Sequence, residues 1–158
     1  MTPMQIQKAG NGFSMRPMEE RDREAVLAMM ADFYASPALL SRPEESVRIR
    51  DFEDCVGECP FVRGYMLFRE TSLAGYAMTA ESYSTEVGGR CLWIEDLYLL
   101  PEYRGMGLGQ AFFETLHTET EGVYARYRLE AEAENAPALQ AYHKMGYREL
   151  EYIQLIRE

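Results

Sequence analysis

Arg104 to Gly109 read Arg-Gly-Met-Gly-Leu-Gly, between a strand pattern and a helix pattern. Glycines at alternate positions let the backbone curl and aim several N–H groups into one concavity. The start of the following helix adds the positive end of its dipole, and Arg104 can pair with an anion. Such a loop suits a phosphate or pyrophosphate. It is not a P-loop, because no Lys followed by Ser or Thr closes it. It is not the dinucleotide turn either: the third glycine comes one position early, and Pro101 to Arg104 separate it from the strand. A plain flexible turn would need neither the arginine before it nor the helix after it.

A second feature lies just upstream. Glu95 and Asp96 sit side by side in Cys91 to Leu100, CLWIEDLYLL, the most apolar strand pattern of the chain. Neighbours on a strand face opposite sides, and two acids there need a wet cleft or polar partners. Trp93 alternates in phase with Glu95. The bland reading of both acids is a pair of structural hydrogen bonds. Cys55, Cys59 and Cys91 lack the spacing of a zinc site. They read as three reduced thiols of a cytoplasmic protein, and no metal is expected.

The elements that must position these residues follow from periodicity and punctuation. Residues 1–11 read as a loose tail and Phe13 to Met18 as a short strand ending at Pro17. Glu19 to Tyr34 reads as a helix, with Val26, Met29, Met30 and Phe33 on one face. Glu44 to Cys55 reads as a more polar helix. Phe61 to Arg69 and Leu73 to Ser84 form a hairpin across Glu70 to Ser72. After the Cys91 to Leu100 strand comes a helix over Gly109 to Glu119. Tyr127 to Glu134 alternates as a strand. Asn135 can cap a helix with Pro137 in its first turn and Gly146 at its end. Tyr147 to Ile156 reads as a closing strand. The order β, α, α, β, β, β, α, β, α, β implies an α/β domain, a mixed sheet with helices on both faces.

EYRGMGLG resembles the R/Q-x-x-G-x-G/A signature of the GNAT superfamily of N-acetyltransferases, with Arg104, Gly107 and Gly109 at its fixed positions. WIEDLYLLPEYRG is similar to that superfamily's fourth strand and following loop, above all in its diamine and spermidine/spermine acetyltransferase branch. NAPALQAYHKMGY matches N-x-x-A-x-x-x-Y-x-x-x-G-[FY] through Asn135, Ala138, Tyr142, Gly146 and Tyr147. The match is clear over about residues 61–150; the first 60 fit in element order alone. It implies a single domain over 1–158, with a mostly antiparallel mixed sheet of six to seven strands and about four helices.

The resemblance also implies acetyl-CoA as co-substrate. Its pantetheine arm would lie where the fourth and fifth strands splay, along Leu97, Tyr98 and Leu99, with Asn135, Ala138 and Tyr142 opposite. Its pyrophosphate would sit on Arg104, Gly105, Met106, Gly107, Leu108, Gly109 and Gln110. Tyr142 falls at the position of the general acid, and a phenol can protonate a departing thiolate. Glu95 matches the base of the polyamine-acetylating relatives, and the Leu97 amide would serve as oxyanion donor. Tyr34, Glu81, Tyr83, Glu95 and Asp96, with Glu86 near them, would line the acceptor pocket. His117 is expected to be solvent-exposed, and neither it nor His143 receives a role.

The expected reaction is acetyl transfer to a primary amine of a small cationic acceptor. The rivals are a non-catalytic acyl-CoA-binding regulator on the same fold and an acetyltransferase of proteins or peptides. Relatives that dimerise through C-terminal strands imply a homodimer, since YRELEYIQLI is apolar enough to pair. The 158 residues carry 16 bases and 26 acids, a net charge of −10 spread along the whole chain. That excludes a sequence-independent nucleic-acid binder and docking on anionic lipid. The longest apolar run, Ala25 to Ala31, is far short of the ~20 residues of a membrane span. The start lacks the apolar stretch of a secretory signal. The same acidic field would attract a cationic amine.

Overall fold

Strands form where the sequence alternates. The structure, a computed structural model, describes residues 11–37 and 39–158. Apart from Asn11, the expected tail lies outside the described residues. Five strands form one sheet in the order β1 (Phe13–Pro17), β2 (Val62–Arg69), β3 (Ser72–Ser84), β4 (Gly89–Leu99) and β5 (Arg126–Leu129). The first four run antiparallel to their neighbours, and β5 joins β4 in parallel. The helices are α1 (Arg23–Tyr34), α2 (Glu45–Val56), α3 (Leu108–Glu119) and α4 (Ala136–Lys144).

Each sheet face carries its own apolar layer. On one face α1 and α2 bury Val26, Met29, Met30 and Phe52 against Met66, Tyr76 and Tyr98. Spacings of three and four residues put the α1 side chains on one stripe, as the sequence predicts. On the other face α3 buries Phe112, Phe113 and Leu116 against Phe13, Leu67, Leu92 and Ile94. Arg16 of β1 forks onto Asp22, at 2.7 and 2.8 Å, and so ties the first strand to the start of α1.

A bulge in β4 controls what each face receives. Met78 lies opposite Asp96 and Thr79 opposite Ile94, so Glu95 has no partner on β3. One extra residue reverses the alternation. Upstream of it, Leu92 and Ile94 pack on the α3 face. Downstream, Leu97 and Leu99 take that face and Tyr98 turns to the α1–α2 face. Without the bulge, Ile94, Asp96 and Tyr98 would share a side.

Two expectations are corrected. The strand expected over Tyr127 to Glu134 pairs along Arg126–Leu129 alone. Its partner β4 diverges at the bulge, so residues 130–134 have no ladder to join. The closing strand expected over Tyr147 to Ile156 is not a strand, leaving five rather than six or seven among the described residues. Tyr147 docks through its side chain: its hydroxyl meets His117 Nε2 at 2.9 Å, and the His117 ring packs 4.6 Å from Tyr127. β5 offers an edge of four residues, and a groove of about 650 Å³ runs between it and the C-terminal segment.

Close approach of β3 to β4 fixes one glycine. A Cβ on Gly75 would come within 2.0 Å of the Tyr98 carbonyl oxygen, a backbone atom that cannot swing aside. Gly75→Ala is therefore expected to cost about 2 kcal/mol or more, the scale of overpacking. Urea unfolding checks this, and unchanged stability would contradict the register.

Candidate functional site

The site begins where β4 and β5 part. Their ladder ends with Ile94 opposite Leu129. The Leu100 N–H donates to Ala74 O of β3 at 2.8 Å. By alternation the Tyr98 and Asp96 amides also face β3, whereas those of Leu97 and Leu99 face the opening. The Leu99 carbonyl points the same way, since it accepts from Arg104 Nε at 2.9 Å. The opening thus presents a strand edge with donors and acceptors unused by β5.

A pocket of about 210 Å³ fills this angle, with Glu95 and Leu97 on the β4 wall and Asn135, Ala138 and Tyr142 on the α4 wall. Asn135 caps α4, its Oδ1 accepting from Ala138 N–H at 3.4 Å. The cap fixes the first turn of the helix that carries Tyr142. Phe33 at the end of α1 and Glu130 beyond β5 also line it. Neither stands out as a site residue in the sequence. Phe33 reads as part of the apolar stripe of α1, and Glu130 as one polar position of a longer strand. Glu130 reaches the pocket because that strand stops at Leu129.

The electrostatics of the pocket are acidic. Glu95 is open to the cleft. Desolvation by the protein around it raises its carboxyl above the usual glutamate range, and Asp96, Glu130 and Asp51 add to the rise. Asp96 is 4% exposed and accepts from the hydroxyls of Tyr34 and Tyr76, both at 2.8 Å. Burial raises its carboxyl too, against the opposing effect of the two hydroxyls. Its bond to Tyr34 holds α1 on the sheet. Burial also raises the Tyr142 phenol, which packs edge-on against Phe113 at 5.8 Å.

The glycine loop lies at the far end of the opening. Gly105 and Gly107 take φ of +75° and +78°, a region that L side chains seldom occupy. Gly107 N-caps α3 with no side-chain cap, and the first turn holds no acid. The amides of that turn are therefore available to an anion. Arg104 lies with its guanidinium carbon 5.4 Å from the centre of the Tyr98 ring. Arg69, at the end of β2, reaches the same loop through Met106 Sδ at 3.3 Å. Its position in sequence gives no hint of this, because the folding of the sheet is what brings it there.

The expected acceptor residues divide. Tyr34 is bonded to Asp96 between α1 and β4, with Glu95 within electrostatic reach of it. Glu81 does not join them: it is paired with Arg90 at 2.7 Å and accepts the Tyr124 hydroxyl. Tyr83 is 65% exposed toward the β3–β4 turn, and Glu86 is held by Arg126 at 2.9 Å. Trp93 packs under the Arg128 guanidinium at 4.3 Å. His117, expected at the surface, is half-buried on Tyr127 and Tyr147, and burial lowers its pKa. Cys55 and Cys59 are half-buried and Cys91 is buried, all as free thiols. Among the described residues no three His, Cys, Asp or Glu side chains gather as metal ligands, and no helix is long and apolar enough to cross a membrane.

A splayed β4–β5 pair, a glycine loop capping α3 and a tyrosine on α4 define an acyltransferase-like α/β domain. Residues 27–147 match the Acetyltransferase (GNAT) family, and the chain belongs to it. It is 32% identical over 79 residues to the thialysine N-epsilon-acetyltransferase of Sus scrofa, 49% of this chain and 46% of that protein. The match thus spans about half the length of that curated relative. Among solved structures, a possible acetyltransferase from Clostridium difficile 630 superposes with a TM-score of 0.78 at 17% identity, over 92% of this chain and 97% of that one. The ribosomal-protein-alanine N-acetyltransferase of Brucella melitensis biovar Abortus 2308 gives 0.73 at 15%, over 93% and 99%. AAC(6')-Iy, in complex with the bisubstrate analog CoA-S-monomethyl-acetylneamine, gives 0.72 at 14%, over 92% and 97%. At these identities the likeness shows the fold.

The raised carboxyls have a consequence for stability. Above the usual aspartate midpoint near 3.9, the unfolded chain has released a proton that folded Asp96 still holds. Folded stability attributable to Asp96 therefore falls as pH rises from that midpoint through its higher folded value. Carboxyl-carbon NMR titration is expected to find both Glu95 and Asp96 above their usual midpoints; an Asp96 value at or below about 3.9 would contradict the burial argument.

Proposed function

We propose that the protein transfers an acetyl group from acetyl-CoA to a primary amine of a small, cationic acceptor, by direct attack with both substrates bound. One observation carries the reading: Glu95 and Tyr142 stand on opposite walls of one pocket, with the inward-facing Leu97 amide on the same β4 wall as Glu95. The groups present fit the coenzyme. Leu97 and Leu99 offer backbone donors for the pantetheine amides, and Asn135 and Ala138 form the facing wall. Arg104 to Gln110 offer an arginine and helix-end amides for the pyrophosphate. The coenzyme supplies an acyl group activated as a thioester.

The chain's own groups do the rest. Glu95 accepts the proton of the attacking amine, directly or through water; its raised pKa makes it a stronger base than an ordinary carboxylate. The Leu97 N–H donates to the carbonyl oxygen as negative charge builds there. Tyr142, kept protonated by burial, gives its proton to the sulfur as the C–S bond breaks. Glu95, Glu130 and Asp51 supply a negative field that favours a cationic acceptor. The porcine relative is a thialysine N-epsilon-acetyltransferase, and its amine acceptor supports the same direction here.

Purified protein given acetyl-CoA and a panel of mono- and diamines is expected to release free thiol. Tyr142→Phe should lower turnover by about 10²-fold while CoA binding survives, the usual range for a general acid. Unchanged turnover would remove Tyr142 from the mechanism. CoA binding without thiol release for any amine, peptides included, would instead fit a non-catalytic acyl-CoA-binding regulator.

The homodimer belongs to the same proposal. Ile153, Leu155 and Ile156 are more than four-fifths exposed, and β5 leaves one edge of the sheet unpaired. Such a segment favours pairing with a second chain. Light scattering is expected to give a dimeric mass, and a monomer at micromolar concentration would contradict it.

A further inference from the structure

The last turn of α1 bears Asp32, where an acid opposes the helix dipole. Its carboxylate accepts the hydroxyl of Tyr98 from the sheet below. Two residues on, Tyr34 makes the reciprocal bond, donating to Asp96 of β4. The two bonds cross the same interface in opposite directions. The Asp96 bond explains how a buried carboxylate is satisfied. The Asp32 bond has no such purpose, since Asp32 is exposed and water could solvate it.

What the Asp32 bond does fix is a ring. Tyr98 is 5% exposed, stacked on Tyr76 at 5.9 Å, and its hydroxyl end is held by Asp32. Burial first, and then the carboxylate, push its phenol up to about 12, so it stays a donor at neutral pH. The guanidinium of Arg104 lies over that ring, with Nε bonded to the Leu99 carbonyl. A fixed ring and a fixed carbonyl together hold the guanidinium at the base of the glycine loop. An anionic partner at the hydroxyl also makes the ring face a better seat for a cation.

We infer that Asp32 is a positioning residue for the cofactor site: through Tyr98 it holds Arg104 in place for the phosphates of the coenzyme. The inference rests on the reading of Arg104 to Gly109 as the phosphate loop. Positioning and simple electrostatics predict opposite signs. As a bare negative charge near a phosphate site, Asp32 would weaken binding, and removal of its carboxylate would tighten it. As a positioning residue, removal of its carboxylate frees the Tyr98 hydroxyl, loosens Arg104 and weakens binding.

Calorimetric titration with CoA separates these cases in the wild type, Asp32→Ala, Tyr98→Phe, Arg104→Met and the Asp32→Ala/Arg104→Met double variant; alanine removes both the charge and the acceptor. Asp32→Ala and Tyr98→Phe are each expected to weaken CoA binding roughly fivefold, within the range of coupling between contacting residues. In the Arg104→Met background, Asp32→Ala should add no further loss. Binding by Asp32→Ala as tight as wild type or tighter overturns the inference, as does a full loss that persists without Arg104. A wild type that takes no CoA, or Arg104→Met binding as wild type does, overturns the phosphate-loop reading itself and the inference with it. Asp32 is at the surface, so circular dichroism is expected to show the folded spectrum in its variants.

Discussion

The single extra residue in β4 is the constraint on which the rest of the site depends. At Glu95 the strand changes phase, and two consequences follow from the same step. Asp96 and Tyr98 turn toward α1 and α2, where tyrosine hydroxyls and Asp32 meet them. The strand also departs from β5, so the amides of Leu97 and Leu99 face an opening instead of a ladder. A regular strand would bury Asp96 beside Ile94 on the α3 face and keep β5 paired past Leu129. Neither the cleft nor the polar clamp on α1 would then exist.

This geometry resolves a conflict in charge. The chain is acidic, yet its proposed co-substrate is strongly anionic. The fold keeps the two signs apart along one strand. Near the bulge lie Glu95, Asp96 and Glu130, with Asp51 within electrostatic reach. At the far end lie Arg104, Arg69 and the uncapped start of α3. An amine approaching the first region and phosphates held at the second would place an acyl group between them, beside Tyr142. The α1 turn from Asp32 to Tyr34 touches both regions, which gives the acceptor wall and the phosphate loop a shared support.

Much of this is legible in the sequence because local rules govern it. The loop needs glycines for its positive φ, and they are visible as Gly105 and Gly107. The α4 cap needs Asn135 at that place, and the apolar stripe of α1 falls at helical spacing. What the sequence does not show is parity. Glu95 and Asp96 read as a pair facing opposite sides, because nothing in CLWIEDLYLL marks a bulge. Two more departures have the same cause. Glu130 reads as part of a strand whose partner in fact leaves, and Tyr147 to Ile156 reads as a strand for an edge that β5 is too short to supply. Element order puts Glu81 and Tyr83 in the acceptor pocket, whereas Arg90 and Tyr124 hold Glu81 elsewhere. Arg69, Asp32 and Tyr76 depend on contacts between distant segments, which spacing does not encode.

The central claim is that the β4 edge opened by the bulge receives the coenzyme. Amide hydrogen exchange, followed by NMR with and without CoA, tests it at the atoms concerned. Free protein should exchange Leu97 and Leu99 quickly and Tyr98, paired to β3, slowly. Saturating CoA should slow Leu97 and Leu99 by roughly tenfold or more beyond the slowing that stabilisation of the whole fold gives Tyr98. Leu97 and Leu99 amides already protected in the free protein, or unaltered when CoA is bound, would contradict the account.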